Sequence, residues 1–290
     1  MSKKEAITGW LFIAPALIGL IIFIYGAMIY SLGISFTSWD LLTPAKWVGI
    51  ENYRTVFNDK MFFQCLNNTL FFVVTMVPFG IIFSMAMAIA LNKQFKGVSF
   101  FRATFYMPSI TSTIAIGMVW LWIFNPDQGV LNSILRYIGV HNPPRWLESI
   151  AWAKPALVIM RLWQISGYYM IMYLSGLQSI PNELYEAADI DGANSWQKTR
   201  YITVPGLANT TFFVTIMLVI ESFNIFEAIY VMTEGSPGGS TNTLLYYIYT
   251  EAFQSYRMGY ASSLAWVLFA ILFVLTLIQF IARRNQQESL

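Results

Sequence analysis

Charged side chains are scarce in this sequence. Lysine, arginine, aspartate and glutamate make up 11% of its 290 residues, whereas a soluble globular chain usually carries about 25%. Hydrophobic residues account for 57% and aromatic residues for 17%. This composition excludes a disordered chain and a soluble enzyme, so it predicts a protein that lies mostly in lipid.

Cysteine and histidine are almost absent. The single cysteine, Cys65, excludes an internal disulfide and a thiolate metal cluster. The single histidine, His141, leaves little basis for a histidine metal site or a catalytic triad. The net charge of +2 is too small to indicate nucleic-acid binding. We therefore expect no metal site and no nucleic-acid partner.

Long windows without charge mark the membrane spans. No charged residue occurs between Glu5 and Asp40 or between Lys60 and Lys93, for example, and a helix needs about 20 apolar residues to cross a bilayer. Basic residues are about twice as dense in the segments on the same side of the membrane as the N-terminus as in the loops on the opposite side. Because basic residues favour the cytoplasmic side, this difference predicts that both termini are cytoplasmic. The sequence thus predicts an all-α membrane protein with a single domain over 1–290 and six transmembrane helices at roughly 8–35, 67–91, 103–125, 155–178, 206–232 and 259–282.

A polar segment, 180–205, separates the fourth and fifth predicted spans. Pro181 suits the first turn of a helix, Gly192 suits a left-handed stop, and Ser195 suits the cap of a second short helix. The pattern predicts a stiff helix–turn–helix that projects from the inner membrane face. One face of its first helix is formed by Leu184, Ala187, Ala188 and Asp191.

This segment resembles the EAA loop of ABC-importer permeases. The match lies in EAADIDGANSWQKTRYITVPGL, at Glu186, Ala187, Ala188, Asp191, Gly192, Ala193, Trp196, Ile202 and Pro205. Three further segments resemble the carbohydrate-uptake, MalF-like branch of these binding-protein-dependent transport inner-membrane components. They are VGIENYRTVFND at 48–59, FRATFYMPSI at 101–110 and YVMTEGSPGGSTNTL at 230–244.

The resemblance implies a type I ABC importer permease of a bacterial-type plasma membrane. In that family the segment matching 182–194 is a coupling helix that docks in a cleft of a cytoplasmic ATPase. The implied partners are a second permease, a dimer of the ATPase, an extracytoplasmic binding protein and a sugar or oligosaccharide. The coupling residues would be Glu186, Ala187, Ala188, Asp191, Gly192 and Ala193. A plainer explanation is an amphipathic loop without a partner.

The chain lacks the GxxxxGK[ST] pattern that cradles nucleotide phosphates. We therefore expect that this subunit is not an enzyme and holds no cofactor. ATP and magnesium would be bound by the partner ATPase.

Ionisable residues inside a span are costly in lipid and mark functional candidates. Arg161 in span four follows a helical spacing with Gln164 and Tyr168, and Glu221 in span five is one turn from Asn224. Such polar faces, with an aromatic ring, suit the hydroxyls and the apolar face of a sugar, so these five residues predict a substrate path. Two plainer explanations stay open: Arg161 extends to the outer surface, or Glu221 forms a structural ion pair, for example with Arg161.

Other kinds of transport protein fit the sequence less well. An aquaporin-like six-helix channel uses paired Asn-Pro-Ala half-helices, which this chain lacks. A secondary transporter usually has more spans or an internal repeat, and a membrane enzyme needs clustered histidine, cysteine or carboxylates. Within ABC importers, glycerol phosphate or a polyol stays open as the substrate.

Overall fold

The computed structural model describes residues 3–93 and 95–288, and it confirms that this part of the chain is mainly helical. Its α-helices are α1 Lys3–Gly19, α2 Ala27–Ser35, α3 Glu51–Asn58, α4 Lys60–Leu91, α5 Val98–Ile110, α6 Thr113–Ile123, α7 Val130–Tyr137, α8 Ile150–Gln178, α9 Asn182–Ile190, α10 Ser195–Lys198, α11 Val204–Gly206, α12 Ala208–Phe223, α13 Glu227–Met232, α14 Leu244–Tyr249 and α15 Met258–Glu288. Short π-helical turns occur at Leu20–Gly26, Thr199–Thr203 and Thr250–Gln254. Two short strands, β1 Thr37–Ser38 and β2 Lys46–Trp47, pair antiparallel.

The chain divides into two compact units. The first comprises the residues up to 62 together with 247–274, and the second comprises 63–246 together with the residues from 275 onward. The unit boundaries therefore fall inside α4, α14 and α15. All the predicted site and coupling residues belong to the second unit.

In the first unit, the segment between α2 and α4 is folded by side-chain contacts. The Asn52 amide donates to the carbonyl oxygens of Ser35 (2.8 Å) and Thr37 (2.9 Å). The carboxylate of Asp59 accepts from the Tyr247 and Tyr260 hydroxyls at 2.6 and 2.7 Å. Burial alone would raise the pKa of Asp59, but these hydroxyls and nearby groups outweigh it and hold the pKa below its usual value. Asp59 is therefore a charged anchor at neutral pH.

In the second unit, α8 is the central helix. Fifteen of its 29 residues are buried. At Gly167 the α5 backbone passes so close that a Cβ atom would lie 1.9 Å from the carbonyl oxygen of Phe105. At Gly176 a Cβ atom would lie 2.4 Å from Oγ1 of Thr210, near the start of α12. The two glycines let α5 and α12 pack directly against the α8 backbone.

Three described helical stretches are long and apolar enough to cross a membrane: Trp10–Ser35, Lys60–Leu91 and Met258–Arg284. Two bent pairs bring the number to five if each is a single span. The fourth predicted span, 155–178, lies in α8, which does not meet this apolarity requirement. A helix surrounded by protein needs less apolar surface than one that faces lipid, and this is the physical reason for the difference.

The third and fifth predicted spans are not continuous helices. Within 103–125, the chain bends by 100° between α5 and α6, where Pro108 and the polar residues after it interrupt the helical ladder. Within 206–232, α12 ends at Phe223 and a separate helix, α13, follows. The freed carbonyl of Ile225 accepts from the Thr243 hydroxyl at 3.1 Å, so this break is stabilised by a side chain.

The segment between α8 and α12 forms the predicted helix–turn–helix. Helix α9 follows Pro181, and Gly192 has a φ of +73°, which agrees with the predicted left-handed stop. The prediction that Ser195 caps the second helix is wrong. Asn194 is the cap, because its side chain accepts from the Gln197 N–H at 2.9 Å while the Gln197 side chain accepts from the Asn194 N–H at 2.7 Å.

Candidate functional site

An ion pair joins the two central helices of the second unit. Arg161 on α8 lies 2.6 Å from the Glu221 carboxylate on α12, measured from Nη2 to Oε1. The Arg161 side chain is 11% exposed and that of Glu221 is 30% exposed. Arg161 therefore does not extend to the outer surface. The structural ion pair, which the sequence left open, is present.

A hydrogen-bond network extends from this pair. Nη1 of Arg161 donates to Oε1 of Gln164 at 2.6 Å. The buried Gln164 amide then donates to Oγ1 of Thr113 (3.1 Å) and to the Thr111 carbonyl oxygen (3.4 Å) at the bend between α5 and α6. The network thus links the bend, α8 and α12. Because the buried groups lie in a low dielectric, each of these hydrogen bonds is stronger than in water and its loss is more costly.

Tyr169 belongs to this network and was missed in the sequence. Its hydroxyl donates to Oε2 of Glu221 at 2.7 Å, and the residue is 2% exposed. The predicted residue, Tyr168, is 43% exposed and contacts the ring of Tyr169 edge-on. Helical spacing does not single it out, because Tyr168 at i+7 lies about 20° from the direction of Arg161, whereas Tyr169 at i+8 lies about 80° away.

We expect Tyr169→Phe to lower the free energy of unfolding by about 1.5–3 kcal/mol, because it removes a hydrogen bond to a charged carboxylate that has few alternative partners. Thermal unfolding of the purified protein in detergent measures this change. Tyr168→Phe is the matched control and should change stability by less than about 0.5 kcal/mol. Equal effects of the two substitutions would contradict the assigned network.

A polar cavity of about 350 Å³ lies beside the ion pair. The residues that line it are Thr113, Arg161, Asn224, Ile225, Phe226, Glu227, Ala228 and Leu245. Of the five predicted path residues, Arg161 and Asn224 line this cavity. Gln164 and Glu221 hold Arg161 in place through hydrogen bonds, and Tyr168 is neither a cavity-lining residue nor one of these two partners of Arg161. Glu227, an ionisable span residue in the sequence, is at the cavity wall.

A larger cavity of about 440 Å³ lies between α4, α5 and α8. Its walls are mainly apolar and include Phe83, Phe105, Ile159 and Trp163. A saccharide needs convergent hydrogen-bonding groups, so the smaller polar cavity is the better candidate for such a ligand.

The wall of the polar cavity is braced by a tethered loop, 233–243. The Asn68 amide on α4 donates to the carbonyl oxygens of Gly239 and Asn242, both at 2.9 Å. Oγ1 of Thr69 accepts from the Leu244 N–H at 3.0 Å, and Nζ of Lys154 on α8 donates to Oδ1 of Asn68 at 3.2 Å. The loop joins α13 to α14, so these bonds fix two of the helices that line the cavity.

The predicted coupling residues lie on and just after α9, away from the cavity. Glu186, Ala187, Asp191 and Gly192 are exposed, whereas Ala188 and Ala193 are half-buried. Large apolar side chains accompany them: Ile190 is 88% exposed and Trp196 is 73% exposed. Exposed apolar groups next to polar ones are typical of a docking surface.

The predicted docking segment, 180–205, is held by two side-chain contacts. Nζ of Lys198 lies 2.6 Å from Oδ1 of Asp189, and the hydroxyls of Tyr185 and Thr203 are 3.0 Å apart. These contacts tie α9 to the chain that enters α12.

The chain matches proteins of known type over nearly its whole length. Residues 69–288 match the family described as "Binding-protein-dependent transport system inner membrane component". The chain is 37% identical to the probable ABC transporter permease YesP of Bacillus subtilis, over 96% of this chain and 91% of the relative. It is 34% identical to the lactose transport system permease LacF of Rhizobium radiobacter, over 99% and 97% respectively.

A solved structure shares the fold. The chain superimposes with a TM-score of 0.84 on a chain of a bacterial ABC transporter involved in the import of the acidic polysaccharide alginate. Sequence identity is 25%, and the match covers 97% of this chain and 98% of the other. This likeness supports the type I importer permease fold that the sequence implied.

These matches confirm the predicted resemblance to the carbohydrate-uptake branch of ABC-importer permeases. The relatives are permease subunits rather than ATPases, so the expectation that the chain is not an enzyme is also confirmed. The chain belongs to the family of binding-protein-dependent transport system inner membrane components.

Proposed function

We propose that this permease subunit forms, with a second permease, the translocation path for a sugar or oligosaccharide in an ATP-driven importer. The observation that carries the proposal is the polar cavity beside the Arg161–Glu221 pair, on the same two helices that hold the docking segment. The names of relatives, which include lactose and multiple-sugar permeases, support the substrate class. An extracytoplasmic binding protein would deliver the sugar.

The docking segment acts as the coupling element. Its helix α9 would enter a cleft of a cytoplasmic ATPase dimer, with the apolar side chain of Ile190 and the small residues Ala187 and Ala188 at the contact. Because α9 connects α8 to the chain that enters α12, movement of the ATPase would move the helices that carry Arg161 and Glu221 relative to the second permease. ATP and magnesium would be bound by the ATPase.

The cavity lining suits a saccharide. Asn224 and Glu227 are exposed at the cavity wall and offer hydrogen-bonding groups to hydroxyls. Phe226 offers an aromatic surface for the apolar face of a sugar ring. In this arrangement Arg161 and Asn224 line the path, while Gln164 and Glu221 set the position of Arg161.

The membrane arrangement follows from the same proposal. Six spans place α9 on the cytoplasmic side, between the fourth span in α8 and the fifth in α12. Both termini are then cytoplasmic, and the third span is the bent pair α5–α6. A glycerol phosphate or polyol importer is less well supported, since the named relatives include permeases for lactose, arabinooligosaccharides and multiple sugars.

The test is purification of the tagged chain from its native membrane in mild detergent, with mass spectrometry of its partners. A second permease and an ABC ATPase should accompany it, and the complex in proteoliposomes should import a sugar only with ATP and its binding protein. Recovery of the chain alone after crosslinking would contradict the proposal and favour a self-sufficient channel. Uptake without ATP would contradict it equally.

A further inference from the structure

We propose that Glu227 makes the cavity selective for neutral saccharides over acidic ones. This inference rests on the proposed function and adds a substrate class to it. The fold does not decide the point, because a transporter with the same fold imports an acidic polysaccharide. The charges on the cavity wall must decide it.

Arg161 and Glu227 are the two ionisable residues among those that line the cavity. The charge of Arg161 is already balanced, since its guanidinium lies 2.6 Å from the carboxylate of Glu221. Its Nε atom is buried and has no hydrogen-bond partner within the described residues, so that atom is not presented to a ligand. An acidic sugar therefore meets no unbalanced cation on this wall.

The carboxylate of Glu227 is not balanced in the same way. Within residues 3–93 and 95–288, no salt bridge involves Glu227. The residue is exposed at the cavity and begins α13, one turn after Asn224. The loop anchored by Asn68 holds the far end of α13, so Glu227 has a fixed place on the wall. The wall thus carries one uncompensated negative charge.

This charge has opposite consequences for the two ligand classes. A carboxylate is a strong acceptor for sugar hydroxyls, and the neighbouring Asn224 amide both donates and accepts. A uronate carboxylate in the same cavity would face a like charge at short range, and this repulsion costs about 1–4 kcal/mol at about 4 Å even in a polar medium. An unfavourable contact with the wrong ligand is an effective source of specificity. We expect at least about a tenfold preference for the neutral sugar.

The experiment measures binding to the assembled transporter in nanodiscs without its binding protein, so that selection by that protein does not contribute. Saturation-transfer NMR detects weak binding of galactotriose and of trigalacturonate, which share linkage and ring configuration and differ at the exocyclic carbon. The wild-type complex should bind galactotriose at least about tenfold more tightly. Glu227→Gln keeps the hydrogen-bonding shape and should reduce that ratio to about threefold or less, mainly by strengthening trigalacturonate binding.

Asp127→Asn is the matched control, because Asp127 is an exposed acid that neither lines the cavity nor belongs to the loop that braces it. It should leave the ratio unchanged. Equal binding of the two sugars to the wild type, or an unchanged ratio in Glu227→Gln, would overturn the charge selectivity while leaving the proposed function intact. Loss of the second permease from Glu227→Gln would overturn it too, since Glu227 would then be an interface residue. Absence of binding by both sugars in every variant would instead refute the saccharide path itself.

Discussion

Ile190→Asp is expected to lower ATP-driven uptake by at least about a hundredfold without unfolding the permease. Ile190 is 88% exposed, so its replacement removes almost no contact within this chain. Burial of an isoleucine at an interface contributes about 1.5–3 kcal/mol, and an aspartate there adds the cost of burying an unpaired charge. A total above about 3 kcal/mol corresponds to more than a hundredfold loss of ATPase affinity. Uptake of a labelled sugar and recovery of the ATPase measure the effect.

The control for this substitution is Ile138→Asp. Ile138 is 67% exposed and follows α7, on a different loop. It tests whether any new surface aspartate impairs transport, and it should leave uptake within about twofold of the wild type. If Ile190→Asp keeps both uptake and its ATPase, α9 is not the coupling helix.

Arg161→Met is expected to destabilise the permease by about 3–5 kcal/mol and to stop transport. The substitution leaves the Glu221 carboxylate without its cation in a largely buried site, and an uncompensated charge of this kind is costly. The double variant Arg161→Met, Glu221→Gln should regain much of the lost stability, because the orphaned charge is gone. Thermal unfolding in detergent and sugar uptake are the two measurements.

The surface ion pair between Arg145 and Glu148 provides the comparison. Both side chains are more than half exposed, so Arg145→Met should cost no more than about 1 kcal/mol. A double-mutant cycle for Arg161 and Glu221 should give an interaction energy of at least about 1 kcal/mol. Additive effects of the two single substitutions would show that the pair is not coupled. Recovery of stability without transport in the double variant would separate the structural role of the pair from its place beside the path.

The sequence predicted the elements that depend on local pattern. Charge-free windows located the apolar helices, and Pro181 and Gly192 marked the ends of α9 because proline and glycine restrict or free the backbone locally. Serine and asparagine cap helices about equally well, so residue type alone does not distinguish Ser195 from Asn194. The reciprocal bond from Gln197 decides for Asn194. The type of residue at the cap position does not reveal this second bond.

The site was predicted only in part, because it depends on which helices meet. Arg161 and Glu221 were identified by the cost of charge in a span, yet their pairing across α8 and α12 is a tertiary contact. Tyr168 and Tyr169 are adjacent, and the side chains of adjacent helical residues diverge by about 100°, so an error of one position selects a different face. Packing against α12 selects Tyr169. The breaks within the predicted spans 103–125 and 206–232 were not predicted either, because the absence of charge over a window does not show whether the helix in it is continuous.

The bend between α5 and α6 has a consequence for how the backbone is solvated. At about 1.5 Å per residue, the 13 residues of α5 and the 11 residues of α6 are each too short to cross about 30 Å of hydrocarbon alone. If the two helices form one span, as proposed above, the chain turns where water is scarce, and its freed carbonyl groups need another source of hydrogen bonds. The Gln164 side chain supplies one to the Thr111 carbonyl. A single amide on α8 thus does at this corner what bulk solvent does for an ordinary surface turn.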